Sequence, residues 1–348
     1  MGVVAGDRVP ERDLQTWAHI QEAEPSLASP FFRPEFTEIV AAARGDVAVA
    51  VVRQDEGEPA FFPFQRGPFS RGRPVGARLS DYQGIVARGE PFFAARALLR
   101  GCGLRSWDFD AVVADQPIFQ PFHRRAKISQ CLDVTRGFAA FVAEREAAGS
   151  DQVADVRKQA ERLEADVGPV RFEVHVEDPA TLEVLLRWKS EQYKRTGAVD
   201  IFSFSWVRDV VRRVHGAQHG GFAGLLSVLY VADEPVAAHL GLRSRTTWHY
   251  WLPAYDRRLA KHSPGLILLL EMTRAAVGLG LDRIDLGKGD ALYKRRLANA
   301  SVPLAEGRID ASLVASMTSS ASRVVRRAAR RTPLARRLDS LEARRPFA

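Results

Sequence analysis

The sequence predicts a mixed α/β fold organised as two domains, and three observations predict it. The chain has 348 residues, more than twice the length usual for one domain. Its 46% hydrophobic and 26% charged residues are an ordinary globular composition, enough to form real cores. Its second half alternates strand-like and helix-like runs in the order β-α-α-β-β-β-α-β-α-β.

In the first half, the apolar runs Val47–Val52 and Pro59–Phe64 flank "RQDEGE", which reads as a hairpin. A helical pattern from Pro91 to Leu99 follows, then the strand-like Ser106–Val113 and "ISQCLDV". A Glu- and Arg-rich helical stretch from Phe138 to Asp166 reads as a spacer between domains. The second half opens with a strand from Val170 to Glu177. Asp178-Pro179 then starts a helix reaching about Arg195, and a second helix spans Trp206 to His215. "FAGLLSVLYV", "PVAAHLGL" and "TTWHYWL" are separated by Asp233-Glu234 and Ser244-Arg245, so they form an antiparallel meander. A helix opening at Ser263, a strand Arg283–Gly287, a helix Ala291–Leu297 and the strand "VPLAEGRI" complete the order. The expected division is 1–136, a helical connector 137–168, a better defined second domain 169–311, and a tail 312–348.

Composition excludes several classes. The N-terminal "MGVVAGDRVPERDLQ" has no apolar signal region, and Gly6 stands where a myristoylation signal needs Ser or Thr. Glu271 and Arg274 interrupt the longest apolar stretch, against a membrane span. Cys102 and Cys131 make neither a disulfide framework nor a metal cluster. A cytoplasmic protein with reduced thiols is the simplest reading. The net charge of +8 resides in the tail: residues 320–348 hold nine Arg against Asp339 and Glu342. The other 319 residues carry 41 basic and 40 acidic side chains, a balance of +1. Within the tail, Arg323, Arg326, Arg327, Arg330 and Arg331 form one helical stripe opposite Val324, Val325, Ala328 and Ala329. This is a solvated extension or a weak, salt-sensitive contact with anionic lipid at the inner membrane face. A near-neutral body disfavours nucleic acid as a partner.

The stretch "KHSPGLILLLEM" starts a helix in a particular way. Ser263 is an expected N-cap, Pro264 suits the first helical position, and Gly265 leaves the free N–H groups unshielded. Leu266 stands where a capping box needs Glu or Gln, so no side chain competes for an anion. Lys261, Arg257 and Arg258 lie just upstream.

Across Val170 to Ile309, "AAHLGLR", "YW.PAYD", "SPG" and "DLGKGDALYK" together resemble the GNAT acyltransferases of the CelD (cellulose-biosynthesis) type. These are relatives of the FemAB peptidoglycan-bridge transferases and carry tandem GNAT-like domains. "LSDYQG" (Leu79–Gly84) is a weaker echo in the first half. The resemblance implies acetyl-CoA or another acyl-CoA as donor, no metal, and a sugar-like or amine acceptor. It implies that the fourth-strand residues Tyr250, Trp251 and Leu252 meet the thioester end. Donor phosphates fall to Lys261, Ser263, Gly265 and Leu266, and Tyr293 acts as the acid with Lys294 beside it. The usual GNAT phosphate loop is absent, and "KHSPG" replaces it.

A two-residue turn at Ser244-Arg245 pairs Arg243 with Thr246 and His239 with Tyr250. His239 is thus the candidate base, a satisfied core histidine being the alternative. Asp285 is a candidate acceptor contact, a cap for the turn after its strand being the alternative, and Asp81, Tyr82 and Gln83 from the first half are candidates too, although a surface turn is the reading favoured for them. The leading reading is an acyl-CoA-dependent acyltransferase acting on a sugar-like or cell-envelope acceptor. The alternatives are a FemAB-like transferase using aminoacyl-tRNA and a non-catalytic scaffold recruited by its tail.

Overall fold

The computed structural model describes residues 1–53 and 57–312, so the expected Arg stripe of the tail lies outside the described residues. The first half contains β1 (Gly2–Ala5), α1 (Glu11–Ala23), α2 (Pro34–Ala43), β2 (Val47–Val52), β3 (Ala60–Gly67), β4 (Arg71–Arg73), α3 (Ala95–Gly101), β5 (Ser106–Val113) and β6 (His123–Asp133). Next come α4 (Phe138–Ala147) and α5 (Gln152–Val167). The second half contains β7 (Val170–Glu173), α6 (Pro179–Arg195), α7 (Ser205–Gly216), β8 (Gln218–His219), β9 (Phe222–Val231), β10 (Glu234–Arg243), β11 (Thr247–Tyr255), α8 (Pro264–Gly278), β12 (Arg283–Lys288), α9 (Leu292–Leu297) and β13 (Ala300–Asp310).

The strands form one mixed sheet in the order β1-β2-β3-β4-β5-β13-β6-β12-β11-β10-β9-β7, with β8 beside β9. β13, the last of the described strands, lies between β5 and β6, and β6 pairs in turn with β12. The sheet therefore runs without a break across the expected boundary at 136. The expected hairpin is present, with Val52 opposite Ala60. The meander β9-β10-β11 is antiparallel as expected. β9 reads as a continuous apolar run because helices cover both its faces.

On one face, α1, α2, α6 and α7 bury a core that joins Trp17, Phe36 and Phe61 of the first half to Leu182, Val210 and Leu240 of the second. α7 contributes Val207, Val210, Val211 and Val214, the i, i+3, i+4, i+7 stripe of a surface helix. On the other face, α8 lies on the sheet through Leu268 and Met272. The connector is more than a spacer. Phe141 and Val142 of α4 and Val153, Val156 and Leu163 of α5 are buried in the core beneath α8. Asp178 caps α6 as its sequence suggests, accepting from the Ala180 and Thr181 N–H groups.

Two expectations are corrected. The β10–β11 connection is longer than two residues, because Ser244 N–H bonds to Thr247 O and Arg243 faces Trp248. His239 consequently faces Pro253, not Tyr250. Ser263 does not cap α8 with its side chain. It sits in the left-handed region at φ 52°, and its carbonyl accepts the Leu266 and Ile267 N–H groups.

Candidate functional site

β11 and β12 run parallel, and their ladder covers only Thr247–His249 against Arg283–Asp285. Beyond it β11 continues to Tyr255, paired on its β10 side. Beside this unpaired edge lies a cavity of about 700 Å³, within the size range of small-molecule sites. Trp188, Glu191, Gln192 and Arg195 line it from one face of α6, Tyr250 and Pro253 from β11, and Tyr293 from α9. Ser263, Gly265 and Leu266, at the start of α8, complete the wall with Arg257.

A β-bulge shapes this wall. Leu240 faces Leu252 while Leu242 faces His249, so β11 carries one residue more than β10 at this point. Gly241 makes the close approach, since a Cβ there would stand 2.7 Å from the His249 carbonyl oxygen and 2.4 Å from His239 Cε1. The Trp251 N–H, displaced from the ladder, donates to His239 Nε2 at 3.1 Å. The His239 ring stacks on Tyr250 with centroids 4.5 Å apart. Burial, aided by His249 and Lys189, holds the His239 pKa well below the ordinary histidine value.

The start of α8 is a 15-residue helix terminus opening on the cavity. Pro264 has no N–H, and Leu266 and Ile267 bond to Ser263 O, which leaves the Gly265 N–H without an intrahelical partner. Tyr293 is half-buried, and burial pushes its phenol up to about 12, so it is protonated and able to donate at neutral pH. Among the carboxylates of the wall, Asp256 is gripped by Arg258 at 2.6 Å. Glu191 makes no ion pair among the described residues.

Several expected site residues lie elsewhere. His239 is fully buried away from the cavity lining, and its accepting nitrogen is taken by Trp251 N–H. Trp251 turns its indole to Leu79 O at 2.8 Å, and Leu252 is in the core. Lys261 pairs with Asp166 at 3.2 Å. Lys294 is buried, with its ammonium on the carbonyls of Leu286, Gly287 and Lys288 at 2.6, 3.2 and 2.8 Å, where it holds the loop after β12. Sequence spacing puts Lys294 beside Tyr293, but the helix turns them to different sides.

The four expected acceptor contacts converge at the junction of the two halves, around a residue the sequence reading passed over, His249. Its Nε2 lies 3.0 Å from Asp81 Oδ2 and its Nδ1 3.5 Å from Asp285 Oδ1. Asp285 also accepts from Tyr82 Oη, from Ser129 Oγ at 2.5 Å and from the Gly287 N–H at 2.8 Å. Lys288 bridges Asp81 and Asp110 at 3.2 and 3.0 Å, and Gln83 binds Asp110. Burial works against ionisation of Asp81, yet Lys288 and His249 outweigh it and hold its carboxyl at about 2. Burial also opposes charge on Lys288, and Asp81 and Asp110 still raise its pKa. An ionised Asp81 can only accept, so His249 carries its proton on Nε2. The signal available in the sequence was polarity inside apolar strands: His249 in "TTWHYWL" and Asp285 in "RIDLG".

Residues 150–295 match the family model of the acetyltransferase (GNAT) domain. Solved structures similar to nearly the whole chain include FemX, at TM-score 0.59 and 11% identity, covering 92% of this chain and 99% of that one. The C-terminal DUF2156 domain of a protein described as a lysylphosphatidylglycerol synthetase, from Agrobacterium fabrum, superposes at TM-score 0.55 and 13% identity, covering 90% and 96%. A tandem GNAT protein from the clavulanic acid biosynthesis pathway gives TM-score 0.50 and 12% identity, covering 89% and 98%. At such identities the likeness establishes the fold, a GNAT-like mixed α/β architecture. No curated protein sequence matches the chain. Among the described residues no helix is long and apolar enough to cross a membrane, and no group of His, Cys, Asp or Glu could hold a metal.

Proposed function

We propose that the chain is an acyl-CoA-dependent acyltransferase, moving an acetyl group to an amine or hydroxyl of a sugar-like or cell-envelope acceptor. The observation that carries this reading is the cavity at the end of the β11–β12 ladder, walled at once by the start of α8 and by Tyr293. The donor's phosphates bind at Ser263, Gly265 and Leu266, where the unpartnered Gly265 N–H and the helix dipole favour an anion. The thioester lies along β11 at Tyr250, and the acceptor enters from the Asp81 side with Tyr82, Gln83 and Asp285 shaping that approach.

The acceptor's lone pair attacks the carbonyl carbon, and the C–S bond breaks. Glu191 takes the acceptor's proton, and Tyr293 gives its phenol proton to the departing thiolate. His239 is a positioning residue that holds the bulge and stacks under Tyr250. The donor assignment is supported by the acetyltransferase family match and by a body charge near zero, which weighs against a tRNA donor.

Release of free coenzyme A thiol, followed with amino-sugar and simple amine acceptors, tests the roles. Tyr293→Phe and Glu191→Gln each lower kcat by roughly 10²-fold, with acetyl-CoA affinity unchanged. Full activity in both variants overturns the assignment. Transfer from aminoacyl-tRNA with no thiol release overturns the donor.

A further inference from the structure

The loop between β3 and β4 holds a side chain that neither the cavity nor the core uses. Phe69 is 83% exposed, the most exposed large apolar side chain among the described residues. It is presented on a backbone in the left-handed region, with φ 57° at Phe69 and 55° at the following Ser70. Such a conformation disfavours any residue with a Cβ, by roughly 1–2 kcal/mol each. Neither burial nor local preference explains an aromatic ring there.

Around it stand four exposed arginines, Arg66, Arg71, Arg100 and Arg105. Backbone bonds tie them into one patch. Arg105 N–H donates to Ser70 O at 2.8 Å, Ala311 N–H donates to Arg105 O at 2.9 Å, and Arg71 pairs with Ser106 across β4 and β5. Arg100 Nη1 reaches Ala311 O at 3.3 Å, and Arg66 Nη2 reaches Cys102 O at 2.8 Å. None of the four makes an ion pair among the described residues. The carboxylates at the nearby strand ends, Asp108 and Asp310, are held by Arg308 at 3.2 and 2.8 Å. With Arg308 shared between two carboxylates, these groups still sum to +3, in a body of net charge +1, around one apolar ring.

The end of the described chain lies in the same corner. Ala311 is bonded to Arg105 and Arg100, and the sequence after 312 carries nine arginines against two acids over 320–348. The net positive charge of the described corner beside an exposed aromatic fits a surface that is anionic outside and apolar just beneath. A bilayer interface has both properties. Basic side chains near such a surface attract its anionic headgroups, and aromatic insertion adds the apolar part. We infer that the corner formed by Phe69, Arg66, Arg71, Arg100 and Arg105 docks the protein on the anionic surface of a lipid bilayer.

The test is co-sedimentation of the full chain with phosphatidylcholine vesicles, with and without phosphatidylglycerol. Binding to the anionic vesicles alone is expected, weakening as salt screens it. Phe69→Gly removes the ring while relieving the backbone, so folding is preserved. It is expected to lower the partition coefficient about tenfold, the loss of a partly buried aromatic. The double variant Arg71→Glu, Arg105→Glu lowers it at least as far, with the melting temperature unchanged because both side chains are exposed. Unchanged binding in both variants overturns the inference by giving all the affinity to the tail. So does an absence of binding to either vesicle, or displacement of the native chain from anionic vesicles by duplex DNA at the same ionic strength.

Discussion

Asp81 joins the two halves through charge, since Lys288 and His249 both reach it from the second half. Its folded pKa of about 2 lies below the ordinary 3.8, so its contribution is complete above about pH 4 and is lost as the pH falls towards 2. The amount is on the order of 2 kcal/mol. Urea unfolding at about pH 6 and about pH 3 reads it out. Because pH 3 lies between the folded and unfolded values, the native chain loses about 1 kcal/mol more on this acidification than Asp81→Asn does, and equal losses contradict the assignment. Asp81, Tyr82, Gln83 and Asp285 were legible in the sequence as polar residues within family-like motifs. His249 was not legible, because the expected two-residue turn puts Tyr250 on the face shared with His239 and His249 on the opposite face. His239 was the candidate instead, and only the bulge reveals that its lone pair is already bonded to a backbone N–H.

At the scale of elements, the bulge between β10 and β11 aims Tyr250 at the cavity. Gly241→Ala puts a Cβ 2.7 Å from the His249 carbonyl oxygen and 2.6 Å from Trp248 Nε1, which a backbone atom cannot relieve by rotating. The expected cost is about 3 kcal/mol of unfolding free energy, with loss of transferase activity in whatever remains folded. A variant within 0.5 kcal/mol of native would contradict this account of the bulge. Strand and helix identities from β9 to β13 were readable because apolar periodicity and turn residues mark them locally. Turn length and bulge position were not, since both depend on a close approach that becomes visible only when two strands meet. α1 carries a helical signal in the sequence, Leu14, Trp17 and Ile20 at i, i+3 and i+6, although it was not among the expected elements. α5 looked polar along its length because only Val153, Val156 and Leu163 face the core.

Across the whole molecule, the sheet is continuous because β13 returns to lie between β5 and β6. No local pattern encodes that return, since a strand's partner is fixed by contacts nearly 200 residues apart, such as Leu304 with Val113. The consequence for function is that the buried junction around Asp81 and the cavity beneath α8 share one rigid frame. In the proposed reaction, that frame would hold a donor at α8 and an acceptor on the Asp81 side in fixed relation, which is what an acyl transfer needs. Thermal unfolding with and without acetyl-CoA, on the native chain and on Gly265→Glu, tests most directly whether the cavity holds such a donor. Acetyl-CoA at about 100 times its dissociation constant adds roughly 2.7 kcal/mol to the native protein and raises its melting temperature by a few degrees. Gly265→Glu, with a carboxylate at the helix start and a Cβ 3.3 Å from the Tyr255 ring, abolishes the shift. No shift in the native chain, or an equal shift in both proteins, would contradict the donor site.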